Sequence, residues 1–144
     1  MPAITVAIAD QQKSRRAACL RLLRPQRGIR VVAEGSTGLD ALAATRLKPR
    51  ILLFGLDLAQ GRHMSVLSLI RRTSPRTKVI LLTEHTPERL ILEALGRGAP
   101  GYVDTAVLER FLPKVVRSVD AGEAWVPRRM VAKVVARLRG APAA

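Results

Sequence analysis

The residues able to do chemistry are few, and they stand at the ends of apolar runs. In "ILLFGLDLAQGRHM" (51–64) a carboxylate, Asp57, comes two residues after Gly55, which itself follows four apolar residues. A second carboxylate, Asp10, ends the run "AITVAIA" and precedes Gln11. In an open α/β sheet, ligands and reacting groups gather at the C-terminal tips of strands. A glycine at such a tip removes a side chain where one is expected. Several chemistries can be set aside. A dinucleotide or P-loop site needs a Gly-rich turn after the first strand, and "DQQKS" has none. There is no G-x-S-x-G. His63 and His85 stand in separate predicted loops with no nucleophile beside them, and read as exposed loop histidines. No His/Cys pair has zinc spacing. The single cysteine excludes an internal disulfide; Cys19, in "AACLRLL", reads as a small buried side chain.

These residues are placed by an alternating series of elements. Apolar, β-branched runs at 3–9, 29–35, 51–54, 78–83 and 101–103 predict buried strands. Helical spacing predicts helices over 14–24 (Ala17, Cys19, Leu20, Leu23 on one face), 38–48, 64–73 (Met64, Val66, Leu67, Ile70), 87–98 and 106–122. Pro25 ends the first, Pro87 opens the fourth and Gly98 caps it. Pro113, inside the fifth, predicts a kink or a late start. Strands without a wet face, alternating with amphipathic helices, give a doubly wound α/β fold with a parallel sheet covered on both sides. A sixth helix over 127–139 carries Met130, Val131, Val134, Val135 and Leu138 at helical spacing. At 144 residues and 48% hydrophobic content the chain is one folded domain. Residues 1–126 form the compact unit and 127–144 a C-terminal helix and tail. No apolar run approaches a membrane span and no signal peptide opens the chain, so a cytoplasmic protein is expected.

Lys and Arg number 25 against 11 Asp and Glu, a net charge of +14. The excess is concentrated. Lys13, Arg15, Arg16, Arg21, Arg24, Arg27 and Arg30 come without an intervening acid, as do Arg128, Arg129, Lys133, Arg137 and Arg139. Such patches are solvated faces, or they attract nucleic acid or acidic protein surfaces. Aromatic residues amount to 3%, which offers no base-stacking platform.

From "ITVAIADQQ" to "AGEAWVP" the chain resembles the receiver domain of NarL/FixJ-type (LuxR-type) two-component response regulators, most specifically in "KVILLTEH", "ALGRGAPGYV" and "VRSVDAGEAWVP". The resemblance implies a five-stranded sheet of order 2-1-3-4-5. It also implies an active site of two acids after strand one that hold Mg²⁺, a phosphoacceptor aspartate ending strand three, a Thr or Ser ending strand four and a Lys ending strand five. Here the acid pair reads Asp10 and Gln11, the phosphoacceptor position is Gly55, Thr83 is kept, the strand-five aromatic is Tyr102 and the lysine position is Thr105. The remnant pocket would thus hold Asp10, Gln11, Gly55, Asp57, Thr83 and Thr105, with Thr83 and Tyr102 as switch residues. No acyl phosphate can form on glycine, and Mg²⁺ binding is expected to be weak or absent, with no other cofactor. Asp57 is a rival acceptor only if the strand continues past Gly55. Asp104 reads as a surface charge.

The degenerate receiver so implied is not an enzyme. Its expected role is a phosphorylation-independent module that forms a homodimer or docks a protein partner in transcriptional control. DNA would be reached through a C-terminal helix-turn-helix domain absent here. A small-molecule sensor, with its ligand in the former phosphorylation pocket, is the alternative. A third reading joins the basic stretches at 13–30 and 128–139 into one nucleic-acid-binding face. Like charge opposes pairing through the first and fifth helices. That leaves the fourth-to-fifth-helix surface, with Glu88, Glu93 and Glu109, as the alternative contact.

Overall fold

The computed structural model describes residues 2–56 and 64–140; Asp57 and His63 lie outside them. The elements are β1 (Ile4–Ala9), α1 (Lys13–Leu23), β2 (Ile29–Gly35), α2 (Gly38–Ala44), β3 (Ile51–Gly55), α3 (Met64–Thr73), β4 (Lys78–Thr83), α4 (Glu88–Gly96), β5 (Gly101–Asp104), α5 (Thr105–Asp120) and α6 (Arg128–Leu138). All strand pairs are parallel, in the order β2-β1-β3-β4-β5.

The strands are apolar on both faces because both faces are covered, and alternation along each strand divides the core in two. Ala7, Leu52, Phe54, Leu81 and Tyr102 face α2, α3 and α4. Val6, Ile8, Leu53, Leu82 and Val103 face α1 and α5. Met130 of α6 joins the first layer, because α6 lies on α4. After α5 the chain runs back beside β5, where Trp125 N–H donates to the Pro100 carbonyl at 3.0 Å and Tyr102 N–H to the Trp125 carbonyl at 3.1 Å. Gly101 permits this, since a Cβ there would meet the Trp125 carbonyl oxygen at 3.0 Å.

Several expectations are corrected. The helix predicted over 38–48 stops at Ala44 and tightens into a 3₁₀ turn over Thr45–Leu47, closed by Lys48 at φ 48. The α5 helix does not start late. It begins at Thr105, where the Asp104 carboxylate accepts the Ala106 N–H at 2.8 Å, and it carries Pro113 in its interior. Pro87 stands just before α4, as its N-cap, and Gly98 (φ 107) follows its last turn as expected. In α1 the buried face is Arg15, Cys19 and Leu23, while Ala17 is exposed. In α6 only Met130 is buried; Val131, Val135 and Leu138 face outward.

Candidate functional site

The tips of β1 and β3 meet over Gly55. Asp10 follows β1 and is fully buried, its N–H donating to the Gly35 carbonyl at 3.0 Å. The next elements are tied to its carboxylate. Gln12, the N-cap of α1, donates its N–H to Oδ1 at 2.9 Å. Arg15 is the third residue of α1 and only 3% exposed. It donates Nε to Oδ2 at 2.5 Å and Nη2 to Oδ1 at 3.0 Å. Arg16 adds a bond from Nη1 to the Asp10 carbonyl at 2.6 Å. The guanidinium fork matches the two carboxylate oxygens, the geometry that makes an ion pair tolerable away from water. Arg15 is placed by its spacing: it shares a helix face with Cys19 and Leu23, four and eight residues on.

This pair fills the space above the β3 tip. A Cβ at Gly55 would meet Asp10 Oδ1 at 2.7 Å, Asp10 Cγ at 2.9 Å and Arg15 Nη2 at 3.1 Å. The hollow expected from the loss of side chains is therefore closed. Arg15 also leaves the list of surface cations. Cys19, fully buried behind Arg15 on α1, has its thiol pushed up to about 12, chiefly by burial and then by the Asp10 charge.

Thr83, Thr105 and Tyr102 assemble next door. Thr83 ends β4 opposite Asp104 in the register and is 2% exposed. Its hydroxyl has no hydrogen-bond partner among the described residues. Thr105 donates its hydroxyl to the Thr83 carbonyl at 3.2 Å. Tyr102 points inward from β5, and its hydroxyl donates to Met130 Sδ at 3.0 Å. Burial raises the Tyr102 pKa. Gln11 is exposed. Asp104 is the α5 cap and His85 an exposed loop residue at φ 51. Among the described residues no cluster of three His, Cys, Asp or Glu side chains could hold a metal ion.

The basic stretches do not form one face. The α1 helix lies with α5 on one side of the sheet, whereas α6 lies on α4 on the other. Several of the cations are also paired. Arg21 bonds Glu109 of α5, and Arg24 approaches Glu34 at 4.0 Å. Glu109 is thus a neighbour of α1 and no part of an α4 surface. Glu88 accepts from Lys133 Nζ of α6 at 2.5 Å, so α6 covers part of the expected α4 contact, whereas Glu93 is paired within its own helix, with Arg97 at 3.2 Å. Hydrogen bonding from Lys133, followed by its charge, lowers the Glu88 pKa. No helix among the described residues is long and apolar enough to cross a membrane.

The family model described as the response regulator receiver domain matches residues 6–117. The response regulator UvrY of Escherichia coli is 28% identical over 124 residues, which cover 85% of this chain and 57% of that protein. The DNA-binding transcriptional activator DevR/DosR of Mycobacterium tuberculosis is 26% identical over 139 residues, 96% of this chain and 64% of that protein. The chain thus spans about three fifths of the length of these relatives. Among solved structures, the isolated REC domain of RcsB from Salmonella enterica serovar Typhimurium, with phosphomimetic BeF3-, superposes with a TM-score of 0.77 at 20% identity, covering 92% of this chain and 98% of that one. A LuxR-family response regulator from Aurantimonas sp. gives 0.77 at 23% identity, with 96% and 99% covered.

Proposed function

The chain belongs to the response regulator receiver domain family, a signalling family and not an enzymatic one, and from that premise we propose that it signals without phosphorylation. In this reading it is a dimerisation or protein-docking module in transcriptional control. The carrying observation is the buried Asp10–Arg15 pair over Gly55. The glycine holds the phosphoacceptor position and offers no nucleophile. Thr105, at the lysine position, carries no charge to neutralise a phosphoryl group. A magnesium ion needs several oxygen ligands in octahedral array. Both oxygens of Asp10 are held by an arginine, Gln11 is exposed and the nearest charge is a cation. These residues do not fit Mg²⁺. Arg15 instead supplies, from within the chain, the positive charge that a metal supplies elsewhere. The DevR/DosR relative is named a DNA-binding transcriptional activator, and in this reading DNA binding lies outside the receiver domain.

The test is incubation with acetyl phosphate and Mg²⁺, followed by intact mass spectrometry and sedimentation velocity. Unchanged mass and unchanged oligomeric state are expected. A phosphate adduct, or a dimer that needs the phosphodonor, would overturn the reading.

A further inference from the structure

We propose that the groove between the tips of β4 and β5 and the start of α6 binds a small aromatic carboxylate. The groove encloses about 820 Å³ and is separate from the filled tip, since neither Asp10, Arg15 nor Gly55 lines it. That volume suits a small organic ligand. Ile91 of α4, Val107 of α5 and the Trp125–Val126 segment supply apolar walls. Trp125 already leans on Phe111, with ring centroids 6.3 Å apart, which fixes its orientation. A flat apolar body matches such walls.

The charge balance selects the ligand's other end. Two acids line the groove, and both are engaged: Glu88 by Lys133 and Asp104 by the first turn of α5. Arg129 also lines it and makes no salt bridge among the described residues, although its charge acts on the neighbouring Glu88 and Tyr102. A guanidinium without a salt bridge presents its planar fork to a carboxylate. Thr83 lies at the floor, and its partnerless hydroxyl gains an acceptor if a ligand oxygen reaches it. Tyr102 and Met130 both line the groove and are hydrogen-bonded to each other, which ties the groove wall to α6. The groove is independent of how the receiver is switched, and its occupancy is measured without phosphodonor or metal.

Trp125 is the only tryptophan and reports from the groove wall. The probe is 2-naphthoate, with 2-naphthamide as its uncharged analogue, each titrated into the full chain while tryptophan fluorescence is followed. Saturable one-to-one binding of the acid is expected, with the amide roughly tenfold weaker, the size of one charge-assisted contact at an open site. The Arg129→Gln variant should weaken the acid about tenfold and leave the amide unchanged. Arg128→Gln, next to it on α6, should change neither. The proposal is overturned by a flat titration, by equal binding of acid and amide, or by equal effects of the two arginine variants. Far-UV circular dichroism of both variants checks that α6 remains folded.

Discussion

The tips of β1 and β3 and the tips of β4 and β5 stand side by side in one sheet, yet they resolve the same problem in opposite ways. Each is a place where an open α/β sheet leaves room. Over β1 and β3 the room is filled by an ion pair whose two members are both nearly inaccessible. Over β4 and β5 it stays open as a groove walled by Trp125 and Met130, with a buried hydroxyl at the floor that has no partner among the described residues. A filled tip makes each of its two charges depend on the other. An open tip leaves a polar group short of a partner and a volume for something else to use.

Substitutions separate the two regions, and the largest effect belongs to the filled one. Arg15→Met removes the guanidinium and leaves the Asp10 carboxylate buried without its ion partner, which costs about 3–5 kcal/mol in urea denaturation. The double variant Asp10→Asn with Arg15→Met should recover a good part of that loss, because the penalty lies in the stranded charge. Full additivity of the two single losses would show that the residues do not act as a pair. Gly55→Ala comes next. Its Cβ would press on a carboxylate whose oxygens are held by Arg15, and the neighbour that must move is no loose side-chain end. A loss of about 1–3 kcal/mol is expected from such overpacking, read as a lower melting temperature. At the open tip the sign changes. Thr83→Val removes a hydroxyl that lacks a partner, so stability should stay level or rise by up to about 1 kcal/mol. A loss of stability there would erase the contrast between the two regions.

The fold was legible because periodicity carries it. Five apolar runs became five strands, and their lack of a wet face correctly implied cover on both sides. The helices were read less evenly. In α1 the apolar spacing puts Ala17 on the packing face, whereas the buried stripe runs through Arg15, Cys19 and Leu23. The spacing thus hides the main feature of the site, since Arg15 falls within a basic stretch that reads as a solvated face. A signal was present. Arg15 stands four residues before Cys19 and five after Asp10, so a charge on the buried face had a carboxylate within reach. The separation of the two basic stretches was not legible, because periodicity gives the face of a helix that packs and leaves open which neighbour it packs on. The return of α6 onto α4 depends on the path after α5, where Trp125 is stitched beside β5.

The occupied space above Gly55 also limits what can be built at this tip. A carboxylate placed at position 55 would be set against Asp10, whose oxygens already have their donors. Seating one there would require Arg15 to leave as well, and either step alone passes through a less stable protein. The contact therefore works as a two-key lock, in which neither change succeeds without the other.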